Sequence, residues 1–221
     1  MTLYQIKPKF QALLRPLVKR LAARGVTANQ VTLAAAGGSL VVGALVAALA
    51  WLPGVFLLMP LWLFARMALN AIDGMLAREH GQQSVLGAYL NELGDIVSDI
   101  ALILPFALVA PFGAGEIMVF ALLAVIVECA GLIGPLAGAS RRYDGPLGKS
   151  DRALVLGALG LWAGLGLSLA HAAHWLWVML SLLSLLTIAN RVRRGVAEGE
   201  QARQARAQAA PHTKSSSQPV E

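Results

Sequence analysis

Apolar residues come in long runs, and short polar links between the runs hold most of the charge. Each run is close to the ~20 residues that an α-helix needs to cross a bilayer. The pattern predicts six spans: about Gln30 to Leu52, Val55 to Arg78, Val85 to Val109, Ile117 to Ala139, Ala153 to Ala170, and a last one ending near Asn190. Pro53-Gly54, Pro111 to Gly115, the polar stretch Ser140 to Arg152, and His171 to Trp175 read as the connections. Gly37, Gly38 and Gly43 in the first span suit close helix contact. Trp175 and Trp177 stand where interface anchors are expected.

A different pattern precedes the first span. Leu13, Leu14, Leu17, Val18 and Leu21 fall on one helical face, with Arg15, Lys19, Arg20 and Arg24 elsewhere. This predicts an amphipathic helix lying in the membrane interface; a solvated basic leader is the plainer alternative. Thr27 or Asn29 can cap the helix that follows. The last stretch has no sustained apolar face and is rich in Gln, Ala, Ser and Glu, which predicts disorder. The expected fold class is therefore an all-α integral membrane protein, six transmembrane helices preceded by an amphipathic interfacial helix. Its parts are a juxtamembrane segment over residues 1–26, a six-helix membrane domain over 27–194, and a disordered cytoplasmic tail over 195–221.

Composition agrees with this pattern. The 221 residues are 57% hydrophobic and only 14% charged, with a mean hydropathy of +0.65, outside the soluble range. The single Cys129 lies in an apolar run and excludes a disulfide framework within one chain. The N-terminus lacks the short apolar core of a cleavable signal. The net charge of +6 fits contact with anionic lipid headgroups and does not argue for nucleic acid. Every Lys and Arg except Arg66 lies before the first span, after the second, fourth and sixth, or in the tail. The positive-inside rule then places both termini in the cytoplasm, with the link between spans two and three on the same side. The expected location is the inner membrane of a bacterial-type cell.

The polar residues that interrupt the runs carry the candidate chemistry. Ionisable groups near a bilayer core are expensive and so mark function. Asn70 and Asp73 form one stripe, with Ala77 and Arg78 a turn further on; Asn91, Asp95 and Asp99 recur every four residues and form another. The link at about Glu79 to Ser84 lets the stripes face each other. Carboxylate and amide oxygens converging on one spot suit a hard divalent cation such as Mg2+ or Mn2+, and such ions commonly hold phosphates. Deeper in the spans, Arg66, Asp99 and Glu128 stand at comparable depth and are expected to form an ionic cluster. That cluster is either a structural clasp or part of an acceptor cavity shaped by Arg66. Gly145 to Arg152 is a second polar concentration: Lys149, Ser150 and Arg152 are candidate donors to a phosphate, with membrane anchoring as the alternative. It is not a Walker A loop. His80, His171 and His174 have no metal-ligand spacing.

The stretch from Asn70 to Asp99 also resembles the signature of the CDP-alcohol phosphatidyltransferase family: D-G-x-x-A-R, eight residues, then G-x-x-x, a polar position and x-x-x-D. Here it falls on Asp73, Gly74, Ala77, Arg78, Gly87, Asn91 and Asp95. The resemblance implies transfer of a phosphatidyl or other substituted phosphoryl group from a CDP-linked donor to an alcohol, with release of CMP, in phospholipid synthesis. It implies metal binding at Asp73, Asp95, Asn70 and Asn91, and Asp95 as the general base; Asp99 is a further candidate ligand on the same stripe. It implies nucleotide contacts at Gly74, Ala77, Arg78 and Gly87, although small residues also serve helix packing. Thr27 to Thr32 resembles a family stretch near substrate. A homodimer is implied as well.

One departure is plain. The family has aspartate where this chain has Asn70 and Asn91. Three readings follow: an enzyme with one or a weaker metal ion; one in which Asp99 and Glu92 compensate; or a family member that binds lipid or nucleotide without catalysis. The acceptor alcohol stays open, and a transporter fits less well because the polar groups gather toward one membrane face.

Overall fold

The computed structural model describes residues 3–167 and 173–209. Among them every regular element is helical. Helix α1 is Leu3–Ala23, α2 Ala28–Ala48, α3 Leu58–Glu79, α4 Val85–Ile103, α5 Ala114–Leu136, α6 Lys149–Gly164 and α7 His174–Ala209. Single-turn 3-10 segments at Pro53–Leu57 and Leu104–Leu108 lead into α3 and out of α4. Four helical stretches are long and apolar enough to cross a membrane: Ala28–Ala48, Pro53–Glu79, Ala114–Leu136 and Trp175–Gln208. The α4 helix carries Glu92, Asp95 and Asp99, and α6 has only 16 residues. Large apolar side chains such as Leu40, Phe64, Leu122 and Leu182 face outward, the inverse of a soluble surface.

The boundaries differ from the hydropathy pattern in instructive places. The third run ends its α-helix at Ile103 because Pro105 cannot extend the backbone ladder. The α5 helix closes at Leu136, one residue past Pro135, and Gly138 follows in the left-handed region at φ +79°. The α6 helix begins four residues earlier than expected. Asp151 accepts the Gly148 backbone N–H at 2.9 Å and supplies a negative charge to the first turn. Lys149, Ser150 and Arg152 are thereby helical residues, not loop residues. The α7 helix runs on to Ala209, so residues 195–209 are not the disordered tail expected from composition. Residues 210–221, and the turn at His171, lie outside the described residues.

Trp177 is a second correction. It is fully buried, while Trp175 is exposed. Phe106, Phe112 and Phe120 surround the Trp177 ring at centroid distances of 5.3–5.7 Å, a tilted and edge-on arrangement that suits aromatic quadrupoles. A smaller core gathers Val18 of α1, Val31 of α2 and Ile72, Met75 and Leu76 of α3. Leu14 and Leu21 pack on it, but Leu13 and Leu17 of the expected apolar face are exposed.

One packing feature sets up the site. The α2 helix packs on both α3 and α4, whereas those two are not among the closely packed pairs. Small residues permit the approach. A Cβ on Gly43 would stand 2.2 Å from the Ala101 carbonyl oxygen, and one on Gly38 would strike the Trp62 ring. Gly37 faces open space and has no such duty. The α3 and α4 helices thus lean on α2 and leave a space between them that long side chains bridge.

Candidate functional site

The link between α3 and α4 is tied down at the end where the stripes meet. Gln82 Oε1 accepts the Ala28 backbone N–H at 2.7 Å, and its amide nitrogen donates to the Val26 carbonyl at 3.3 Å. Thr27 caps α2 in a reciprocal box with Gln30. Ser84 caps α4 through the Gly87 N–H at 2.9 Å. A Cβ on Gly87 would lie 2.7 Å from Asn29 Oδ1, so glycine is required for this approach. The other end is apolar: a cavity of about 580 Å³ lined by Pro53, Phe56, Leu108 and Pro111 shares no residue with the polar stripes.

The stripes on α3 and α4 do face each other. Arg66, buried at 3% exposure, reaches from α3 to α4. Its Nη1 donates to Asp99 Oδ1 at 2.8 Å, and its Nη2 to Asp95 Oδ1 at 3.1 Å. The other Asp95 oxygen pairs with the Lys149 ammonium from the first turn of α6. Asp73 accepts from Thr32 Oγ1 at 2.8 Å and lies within electrostatic reach of both Lys149 and Asp95. Asn70 and Asn91 share the faces of these residues. They are half-buried and make no side-chain hydrogen bond among the described residues.

Beneath this layer lies the ionic cluster expected around Arg66, Asp99 and Glu128, with Arg152 at its centre. Arg152 is 1% exposed. Its Nη2 donates to Asp99 Oδ2 and to Glu128 Oε1, both at 2.7 Å, and its Nε to Asp99 Oδ2 at 3.1 Å. Arg66 reaches Asp99 and not Glu128; Arg152 joins the two carboxylates. Arg191 of α7 approaches Glu128 at 3.7 Å. Two expected roles change here. Arg152 is committed to buried carboxylates and is not displayed to a phosphate. Asp99 has both oxygens engaged by guanidinium groups and is not presented as a metal ligand.

The remaining expected residues sit as follows. Glu92, a candidate for compensation, is taken up by Arg141, whose Nη2 donates to Glu92 Oε2 at 2.8 Å. Arg78 is exposed, with its guanidinium folded over Gly74. Ala77 and Gly74 are half-buried on α3, and Ser150 is exposed. Arg142 pairs with Asp144 and Glu198, and Arg194 donates to Asp144 at 2.8 Å. Partial burial opposes the Asp144 charge, but Arg142 and Arg194 outweigh it and hold the carboxyl below its usual range.

The donors can be weighed against the divalent ion that the motif implies. Among the described residues no group of three His, Cys, Asp or Glu side chains could hold a metal. Asp73 and Asp95, with the neutral oxygens of Asn70 and Asn91 on the same two helices, are the residues that would hold such an ion, with Lys149 paired to one Asp95 oxygen. Two carboxylates and two neutral amides do not make a carboxylate-rich cage.

Three participants were missed by sequence reasoning. Thr32 lay in the stretch read as a cap or a substrate contact, but its bond to Asp73 was not foreseen; it is the fifth residue of the capped α2, where its register could have been compared with α3. Arg191 follows Ser184 and Thr187 on one face of α7, and all three are buried. That stripe was visible in the sequence. Glu198 accepts from the Ser140 N–H at 2.8 Å and braces the loop before α6, a contact with no sequence signature.

Apolar exterior helices around a layered, ion-paired polar site define an all-helical membrane protein. The chain is 49% identical over 199 residues to inner membrane protein YnbA of Escherichia coli (strain K12), a match covering 87% of this chain and 96% of that one. It belongs to the same family as that inner membrane protein. No protein-family model matches. The fold is shared with Mycobacterium tuberculosis phosphatidylinositol phosphate synthase (PgsA1). Its structure with manganese and citrate aligns at a TM-score of 0.66 and 19% identity, covering 81% of this chain and 87% of that one. Its structure with CDP-DAG bound aligns at 0.66 and 21%, covering 81% and 92%.

Proposed function

We propose that the protein is an integral-membrane phosphotransferase. It moves a phosphatidyl or other substituted phosphoryl group from a CDP-linked donor, such as CDP-diacylglycerol, to an alcohol in phospholipid synthesis. The observation that carries this reading is the meeting of Asp73 and Asp95 across the space between α3 and α4, with Lys149 between them and the motif's other positions on the same two helices. The shared fold with a synthase whose structure holds CDP-DAG supports it.

The reaction forms a bond from the acceptor oxygen to the donor's lipid-side phosphorus and breaks the bond from that phosphorus to the bridging oxygen of CMP. The acceptor proton goes to Asp95. Positioning and charge neutralisation supply most of the catalysis in such a transfer. Asp95 is free to act as base when Lys149 turns from its carboxylate to the entering phosphates. Arg66 then holds the remaining Asp95 oxygen and sets the direction of the vacant lone pairs. Gly74, Ala77 and Gly87 are the small positions against which the nucleotide would lie once the Arg78 guanidinium lifts from Gly74, and Arg78 would then supply a donor. Mg2+ or Mn2+, held by Asp73 with Asn70 and Asn91, would neutralise pyrophosphate charge. The six helices α2 to α7 span the inner membrane, α1 lies in the interface, and both termini and the site face the cytoplasm. A homodimer belongs to this proposal.

A second reading, a membrane protein that binds a CDP-lipid without turnover, draws on the full engagement of Asp95 by two cations. CMP release separates them. Purified protein is incubated with CDP-diacylglycerol, Mn2+ or Mg2+, and a panel of alcohols, beside Asp95→Asn. Metal-dependent release that Asp95→Asn lowers by at least ~10²-fold establishes the transferase. Binding of the donor with no release for any acceptor establishes the second reading.

A further inference from the structure

We infer that the Lys149 ammonium is a built-in counter-ion of the site, holding the place of one metal charge, so that the chain takes a single divalent ion and takes it weakly until Lys149 leaves Asp95. This rests on the proposed phosphotransferase reading and concerns the charge economy of the same site.

Three observations lead to it. The first is charge. Four carboxylates, Asp73, Asp95, Asp99 and Glu128, stand with four cations, Arg66, Lys149, Arg152 and Arg191; the cations pair directly with Asp95, Asp99 and Glu128, and Asp73, bonded to Thr32, lies within electrostatic reach of Lys149. A set already balanced by side chains attracts a divalent ion weakly, because each ion brings two further charges into a poorly solvated space. The second is the pair Asn70 and Asn91. They offer neutral oxygens without side-chain partners among the described residues, where aspartates would have left two carboxylates uncompensated. The third is the position of Lys149. It is the first residue of α6, the positive end of the helix dipole, where a cation is disfavoured. Nothing in the capping of α6 requires it, since Gly148 and Asp151 make the cap. Its ion pair with Asp95 offsets that placement. At 31% exposure the side chain is also free enough to swing away, unlike Arg66 and Arg152, which are sealed in.

The test is a Mn2+ titration of the purified full chain in detergent, read by loss of the free-ion paramagnetic resonance signal, with no donor or acceptor present. Wild type should bind at most one Mn2+ per chain, and weakly. Lys149→Met should bind at least tenfold more tightly, because it frees Asp95 and removes a repelling charge. Lys149→Arg, which keeps the charge, should match wild type. Unchanged or weaker binding in Lys149→Met overturns the inference. Should that variant fail to fold, wild type decides alone: two tight Mn2+ ions per chain overturn it, and one weak ion supports it. CMP release is not read in any of these titrations. An inactive protein with the expected Mn2+ pattern would sink the transferase reading alone, and an active one with unchanged affinities would sink this inference alone.

Discussion

Replacing Arg152 by alanine separates two accounts of the α6 start. If Arg152 served an exposed phosphate site, its loss would weaken substrate binding and leave the fold intact. The structure predicts the reverse order of effects. Arg152 is buried and is the group that joins Asp99 to Glu128, at 2.7 Å from each. Without it, Asp99 keeps Arg66 at 2.8 Å, but Glu128 keeps only Arg191 at 3.7 Å. Removing one partner of a buried ion pair costs about 3–5 kcal/mol, mostly the penalty of a carboxylate left unpaired. For a chain of this size that corresponds to about 6–20 °C in the unfolding midpoint. Adding Glu128→Gln to Arg152→Ala removes the stranded charge and should recover part of the loss. The assay is thermal unfolding in detergent followed by tryptophan fluorescence, with Trp177 in the core as the reporter. A midpoint within about 2 °C of wild type, joined to a raised KM, would refute the buried-clasp account.

Other consequences are simpler. Gly43→Ala should destabilise the α2–α4 contact by about 1–3 kcal/mol, since the backbone carbonyl it would strike cannot turn aside, whereas Gly37→Ala should be neutral or slightly stabilising; paired thermal midpoints check both. The lowered pKa of Asp144 means that its paired charge stabilises the loop above the ordinary carboxylate range, and that this contribution is lost as pH falls through its lowered value. Proteolysis at the Ser140 to Gly148 loop should therefore rise toward acid pH in wild type, and Asp144→Asn should show the raised rate at neutral pH already. Asn70→Asp combined with Asn91→Asp should lower the unfolding midpoint in chelator and regain it with Mn2+ to a greater degree than wild type gains; equal responses would contradict the charge balance described above.

The membrane class and the site's two helices were legible because their signals are local. Apolar run length gives spans, and residues four apart share a helix face. The meeting of the Arg66 face with Asp95 and Asp99 followed from those two rules and one short link. What sequence could not supply was the competition among cations for each carboxylate. Arg152 lay in a polar stretch and looked like loop, until the Asp151 cap drew it into α6 and turned it inward. Trp177 had the position of an interface anchor, but Phe106, Phe112 and Phe120 come from three separate segments to enclose it. The stretch after Gly195 lacked an apolar face and looked unstructured. Its helix is fixed instead by close packing of Gly199 on Ala137 and by Glu198 bonding to Ser140, contacts between segments far apart in sequence.

The two layers of charge at the α3–α4 gap have different physical duties, and the difference follows from exposure. Arg66 and Arg152 carry multidentate guanidinium groups that satisfy several carboxylate lone pairs at once while buried, so they hold their helices in place. Lys149 is a point charge on a flexible stem with partial access to water, so it can leave its carboxylate at modest cost. On the proposed function, a permanent charge beneath a removable one would give a site that keeps its shape when empty and changes its charge when an anionic donor enters. Four helices, α3 to α6, contribute to that arrangement, and α7 reaches it through Arg191. Stability and the proposed chemistry would therefore be coupled through Asp99, one turn below Asp95 and joined to it by Arg66. A substitution there should disturb the fold first and the reaction as a consequence.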